Sequence, residues 1–199
     1  MDRSARGFIS PVILAISVIA AVIVVFLANN NQVTPTQLGQ STSQLSTKNY
    51  QSAKYGLTLK YPEGWSMKEN PAADIVVAFG SPKESSKDKF VDNINISIIN
   101  LAPQPSLKTV KQAADQWIRQ TTVSYPSLKL LTRKPSTMTG QTAEELIYTI
   151  SSQGFNLKGM VVITIKNKMA YIMTYSAESA SFDKFVDAAN TVTTSLQVK

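Results

Sequence analysis

The chain has 199 residues, of which 43% are hydrophobic and 17% charged, which is enough for one packed domain with an appendage. It contains no cysteine and no histidine, which excludes disulfides, thiolate metal sites and both Ser-His-Asp and Cys-His catalysis. The formal charge is +7, but the lysines and arginines are scattered along the chain. The sequence therefore predicts no nucleic-acid binding, since proteins of that class usually concentrate basic residues in one stripe.

A charge-free apolar run predicts a membrane anchor near the N-terminus. The run Phe8–Ala28 reads FISPVILAISVIAAVIVVFLA, and as a helix it spans roughly 30 Å, the thickness of a bilayer core. A cleaved signal peptide is the alternative, but its apolar region would be only about 7–15 residues long. Arg3 and Arg6 precede the run, and no basic residue follows until Lys48. The positive-inside rule then predicts a single-pass protein of the cell membrane, with residues 1–7 cytoplasmic and the rest extracytoplasmic.

Two segments follow the predicted anchor. Residues 29–49 consist mostly of Asn, Gln, Ser and Thr, and they hold too few apolar side chains to offset the entropy lost on ordering. We expect a flexible polar linker there. Residues 50–199 have the size and composition of a single globular domain.

Strand patterns dominate this domain. Apolar and polar residues alternate at its start, and Asn93–Leu101 alternates again with its isoleucines on one face. Asn167–Lys168 can form a tight hairpin turn between the last two strands. Strands are predicted at Tyr55–Tyr61, Trp65–Lys68, Ile75–Phe79, Asn93–Leu101, Leu128–Arg133, Glu144–Ser151, Leu157–Ile165 and Met169–Ser176.

Two segments show the spacing of an amphipathic helix instead. From Ser106, the expected N-cap, apolar residues recur every three or four positions until Pro126 ends the pattern. A second helix is predicted from about Ser181, with its apolar face formed by Phe182, Phe185, Val186, Ala189, Val192 and Leu196. The order of elements predicts an α+β fold, in which one antiparallel sheet carries the two helices on its faces.

The domain resembles the PsbP-like family. The stretch YGLTLKYPEGW is similar to the opening strand and turn of that family, and AADQWI and MAYIMTYSAESASFDKF follow in the family's order. The resemblance implies an antiparallel β-sheet sandwiched by helices, and a binding or assembly role, as for the extrinsic photosystem II subunits in the family. Metal binding in the family is tied partly to histidine and acidic residues, and this chain lacks histidine. No metal site and no cofactor are therefore carried over.

A second resemblance concerns the N-terminus. The stretch ARGFISPVILAISVIAAVIVV is similar to archaeal pilin-type leaders, in which a basic residue and a glycine precede an apolar helix. This resemblance implies processing after Gly7 and a structural subunit of a surface filament. It stands as the alternative to a membrane-tethered PsbP-like module that binds a protein partner.

The turn at Pro62-Glu63-Gly64 raises the question of a ligand site. With Pro second and Gly fourth, Tyr61–Gly64 fits a type I turn, after which Trp65 would re-enter the sheet and bury its ring. The alternative is a ligand corner that uses the Glu63 carboxylate and the Trp65 ring.

No other stretch predicts catalysis. Glu144 and Glu145 are adjacent, so on a strand they point to opposite faces and cannot act as an acid/base pair. Asn95-Ile96-Ser97 is a sequon, and Asn95 is a possible glycosylation site because it lies opposite the isoleucine face. We therefore predict a non-enzymatic module without catalytic residues.

Overall fold

A computed structural model describes residues 45–83 and 90–199. The predicted anchor, the possible leader and most of the predicted linker lie outside the described residues. Within the described ranges, no helix combines the length and the apolar character needed to cross a bilayer.

The described chain contains two helices and mostly antiparallel strands, as the α+β prediction requires. The elements in chain order are β1 Thr47–Ser52, β2 Leu57–Pro62, β3 Ser66–Ala72, β4 Ile75–Gly80, β5 Asn93–Asn100, α1 Val110–Ser124, β6 Lys129–Met138, β7 Gln141–Ser152, β8 Phe155–Lys166, β9 Met169–Glu178, α2 Phe182–Ser195 and β10 Gln197–Val198.

The strands form two sheets, whereas a single sheet was predicted. Seven strands are ordered β3-β4-β5-β9-β8-β7-β6, and a smaller sheet has the order β1-β2-β10. Strand β1 begins at Thr47, within the segment predicted as linker, and its polar sequence TKNYQS gave no strand signal. Strand β10 is only two residues long. The second sheet exists because β2 pairs with these two short strands and not with the large sheet.

Strands β6 to β9 form a meander with three two-residue turns. Both residues of each turn have positive φ, at Thr139-Gly140, Gln153-Gly154 and Asn167-Lys168. This geometry is that of a type I′ turn, whose twist matches that of the flanking strands. The predicted hairpin turn at Asn167–Lys168 is confirmed.

The two helices lie on opposite faces of the large sheet. Neighbouring residues of β8 show the division, because Val161 packs with Trp117 of α1 and Val162 packs in the same cluster as Val192 of α2. The small sheet lies on the α2 face, where Leu57 belongs to that second cluster. The molecule thus has three layers, with α1 on one side and α2 plus the small sheet on the other.

The first helix begins later than predicted. Its N-cap is Thr109, whose side chain accepts a hydrogen bond from the Gln112 backbone, while the Gln112 side chain accepts one from the Thr109 N–H. Ser106 was the wrong choice because it lacks a Gln or Glu three residues later, which this capping box needs.

Candidate functional site: the apolar edge

The predicted corner at residues 62–65 contains a turn of a different type. The Trp65 N–H donates to the Pro62 carbonyl at 3.3 Å, so the turn runs from Pro62 to Trp65 and not from Tyr61 to Gly64. Gly64 occupies its third position with φ of 85°. A positive φ at that position is the requirement of a type II turn, which glycine meets without steric cost. The prediction of a type I turn was therefore wrong, because the turn is of type II and begins one residue later.

The two side chains of the possible ligand corner, Glu63 and Trp65, lie in different surroundings. The Trp65 ring is only 8% exposed and meets Phe185 of α2 edge to face, with 5.4 Å between the ring centroids. Glu63 is exposed, and its backbone N–H donates to the Ser46 carbonyl at 2.8 Å. The turn thereby connects the chain before β1, the end of β2 and the second helix.

Asn95, the possible glycosylation site, is buried. It is 3% exposed in the middle of β5, and its amide donates to the Asn93 side chain at 3.0 Å. A glycan on this nitrogen would have no room in the folded domain. The sequence pattern showed correctly that Asn95 lies opposite the isoleucines, but alternation does not reveal whether the second face is also covered.

Asn95 belongs to a row of buried polar side chains on the α1 face. Asn93 lies opposite Ser176 of β9, and Asn95 lies opposite Thr174. Tyr148 hydrogen-bonds to Ser176, while burial raises the pKa of this tyrosine above its ordinary value. The Oδ1 atom of Asn95 has no hydrogen-bond partner among the described residues. We name these side chains the polar row; it belongs to the interior of the domain.

Exposed apolar side chains lie on the described surface at the β6 end of the large sheet. Val123 is 83% exposed near the end of α1, and Leu130 and Leu131 are 40% and 51% exposed at the start of β6. A short turn joins the two elements, with the Leu128 N–H donating to the Tyr125 carbonyl at 2.9 Å. We call Val123, Leu130 and Leu131 the apolar edge. Apolar side chains exposed together on neighbouring elements are typical of contact surfaces, and these three lie on consecutive elements.

The backbone of β6 limits the way in which a partner can attach. β6 is the last strand of the sheet order and pairs only with β7 among the described strands. The register shifts between Leu130 and Thr132, so Leu131 sits at an irregularity, and Pro135 has no N–H to donate. Such features discourage the addition of another strand. The leucine side chains are therefore the groups that this edge offers to a partner.

Two of the basic residues that follow the apolar edge, Arg133 and Lys134, are paired with carboxylates. Arg133 donates to Asp115 of α1 at 2.6 Å and to Glu144 of β7 at 2.8 Å. These hydrogen bonds, Asp115 first, raise the pKa of Arg133 above its ordinary value. Lys134 pairs with Glu145 at 3.0 Å. The ion pairs connect α1 with β6 and β7. The neighbouring Leu130 and Leu131 side chains are exposed and apolar.

The sequence contained a signal for the apolar edge that periodicity analysis missed. Leu130 and Leu131 are consecutive in the stretch KLLTRK, so both cannot follow a simple inside-outside alternation.

Within the described residues, no cluster of acidic side chains is arranged to hold a metal ion.

The fold is similar to that of solved structures, and the sequence matches a family model. Cyanobacterial PsbP (CyanoP) from Synechocystis sp. matches with a TM-score of 0.58 and 16% identity, covering 83% of this chain and 100% of that one. LpqN of Mycobacterium tuberculosis, which is involved in cell envelope biogenesis, matches with a TM-score of 0.50 and 13% identity over 78% and 91% of the two chains. No curated protein matches the chain. The sequence model of the PsbP-like proteins matches residues 12–189. The chain therefore belongs to the PsbP-like protein family.

Proposed function

We propose that this chain is a membrane-tethered, extracytoplasmic and non-enzymatic module that binds a protein partner through the apolar edge. The observation that carries the proposal is the exposure of Val123, Leu130 and Leu131 at one end of the large sheet. Burying them against a partner gains about 25 cal/mol for each Å² of apolar surface removed from water. The edge is formed by an outer strand and a helix end, a shape that suits a protein surface better than a small substrate.

The tether in this proposal rests on the sequence. The charge-free run Phe8–Ala28 follows Arg3 and Arg6, and a polar linker separates it from the domain. A binding module held near a membrane by a flexible linker meets membrane-bound partners at a raised effective concentration. LpqN, which shares the fold, is involved in cell envelope biogenesis, and this supports placing the proposed module at the cell envelope.

Site-specific photocrosslinking in the native membrane tests the contact. A photoreactive amino acid at Leu131 should capture one defined protein, whereas the same group at Met67 should not. Met67 is the matched control, because it is 45% exposed on β3, the opposite edge strand of the same sheet. Equal capture from both positions, or capture from Met67 alone, would remove the apolar edge from the proposal.

An aspartate substitution in the apolar edge tests whether the apolar side chains themselves make the contact. Leu131→Asp should abolish the crosslink formed from a photoreactive group at Lys129, while the unfolding temperature stays close to that of the wild type. Exposed side chains away from the core usually change stability by no more than about 0.5 kcal/mol. Met67→Asp should leave the crosslink intact, and its loss in that variant would mean that the contact is not specific to the edge.

Protease treatment of intact cells tests the topology. The protease should release the domain by cutting within residues 29–49, since the polar composition of that segment predicts a linker. Complete protection in intact cells, followed by digestion after lysis, would place the domain in the cytoplasm.

A further inference from the structure

A second surface feature lies away from the apolar edge, where the large sheet meets the segment that leads into α1. There a pocket of about 430 Å³ opens between the end of β5 and the β8–β9 turn. Its lining includes Leu101, Leu107 and Ile165, with Lys108 and Lys168 beside them. This volume falls within the range of about 300–1,000 Å³ that is usual for small-molecule sites, which are mostly apolar with a few polar groups.

The backbones of both lysines are held in place. Lys168 has φ of 60° as the second residue of a type I′ turn, and its carbonyl accepts a hydrogen bond from the Leu101 N–H at 2.9 Å. Lys108 directly precedes the helix cap, and its N–H donates to the Gln112 side chain at 2.9 Å. The backbone of each lysine is thus fixed at the pocket lining, and a ligand has to order only the two side chains.

The charges around this pocket are unbalanced. No acidic side chain lines it, and neither Lys108 nor Lys168 forms an ion pair within the described part of the chain. Gln104 also lines the pocket, and the Nε2 donor of its amide has no hydrogen-bond partner among the described residues. The site therefore offers two cations beside apolar walls, while the Gln104 donor is enclosed behind the lining. Its complement is a molecule with an anionic acceptor at one end and an apolar body at the other.

We propose that this pocket binds a small anionic amphiphile, namely a carboxylate attached to a compact apolar body. The apolar body lies against Leu101, Leu107 and Ile165, and the carboxylate lies between Lys108 and Lys168. This ligand site is separate from the apolar edge, so its occupancy does not depend on the proposed protein partner.

Three probes of one shape test the charge requirement. 4-Phenylbutyrate, 4-phenylbutanol and 4-phenylbutylamine share the apolar body and carry an anionic, a neutral and a cationic end. The full chain, embedded in nanodiscs of neutral phosphatidylcholine, is titrated with each probe by ligand-detected NMR, and empty nanodiscs correct for partition into lipid. We expect 4-phenylbutyrate to bind at least tenfold more tightly than the alcohol and the amine to bind least. Equal binding of the three probes, or no saturable binding of 4-phenylbutyrate in the millimolar range, would overturn the proposal.

Two lysine variants locate the site without unfolding the protein. Lys168→Gly creates Asn-Gly, a dipeptide favoured in type I′ turns, so the unfolding temperature should hold or rise while affinity for 4-phenylbutyrate falls at least fivefold. Lys108→Gln should lower the affinity by a similar factor. Lys111→Gln is the matched control, because Lys111 is an exposed lysine in the first turn of α1 that does not line the pocket. Wild-type affinity in both pocket variants, or an equal loss in the control, would show that the pocket is not the binding site.

Discussion

On one face of the large sheet a single helix covers the core, whereas on the other face a helix and a second sheet share that role. Among the described residues the α1 face has two aromatic pairs, and only Trp117 with Tyr148, 5.0 Å between ring centroids, is fully enclosed; the other is Phe90 with Phe155 at 5.5 Å. The α2 face spreads its aromatic contacts, with Tyr61 stacked on Phe79 and Trp65 meeting Phe185. A single substitution should lower the free energy of unfolding more in a core that depends on few large side chains than in one whose contacts are spread over many.

The largest effect should come from removing a whole strand of the α2 face. Strand β1 supplies Tyr50, which packs edge to face on Phe79 and donates to Glu69 of β3 at 2.8 Å. A fragment of residues 45–199 should unfold cooperatively in urea, and one of residues 53–199 should not, because the small sheet would lose its outer strand. Equal cooperativity of the two fragments would show that the second sheet is dispensable for this face.

The two tryptophans provide the direct comparison between faces. Trp117→Ala should lower the free energy of unfolding by about 3–5 kcal/mol, because it removes a fully enclosed ring from the core on the α1 face. Trp65→Ala should cost about 3 kcal/mol, since Trp65 is 8% exposed whereas Trp117 is 1% exposed. Urea denaturation of both variants measures the difference. If the Trp65 variant proves the less stable of the two, the α2 face depends on a single contact after all.

Two glycine substitutions compare the α1 face with the corner turn, with smaller expected losses of stability. Gly159 lies beneath the Tyr148 ring, and a Cβ atom at this position would overlap the ring. Gly159→Ala should therefore cost about 1–3 kcal/mol through overpacking of the α1 face. Gly64→Ala should cost about 1 kcal/mol from its positive φ alone, because nothing lies within 4 Å of the added atom. The two denaturation midpoints measure this order, and an equal cost would mean that Tyr148 moves aside freely.

A pH titration reports on the junction between the two sheets. Burial, followed by the hydrogen bond to Glu69, raises the pKa of Tyr50 from 10.0 to about 12. The folded state thus favours the neutral phenol, so this contribution to stability is complete below pH 10 and is lost as the pH rises to 12. The wild type should lose more stability between pH 8 and pH 11 than Tyr50→Phe, as measured by urea denaturation. Lysine deprotonation affects both proteins alike, and parallel losses would contradict a role for Tyr50.

The smallest effect is expected at the corner. Glu63→Gln should change the free energy of unfolding by no more than about 0.5 kcal/mol, because the side chain is exposed and the turn uses only the backbone N–H of residue 63. Thermal melts of the two proteins should coincide. A clear loss of stability would indicate that the carboxylate stabilises the junction between the turn and α2.

Much of the fold could be predicted because its elements carry strong periodic signals. The alternation of Asn93–Leu101 and the 3.6-residue spacing of both helices identified their elements, and the order of elements indicated the α+β class. Short polar strands could not be predicted, since β1 and β10 are strands only because β2 pairs with them. The apolar edge was not predicted either, since exposure at a sheet edge depends on which strand lies outermost.

By itself, the sequence determined which side-chain chemistries this protein lacks and which segments form its helices. Without cysteine or histidine it has no thiolate or imidazole chemistry, and its apolar patterns specify two helices that each require a sheet face. Only the tertiary structure decided which polar residues are inside and which apolar residues are outside. Asn95 is buried because β5 lies inside the large sheet and both faces of that sheet are covered, and Leu131 is exposed because β6 ends the sheet. Both outcomes depend on contacts between residues far apart in the chain, which local periodicity does not encode.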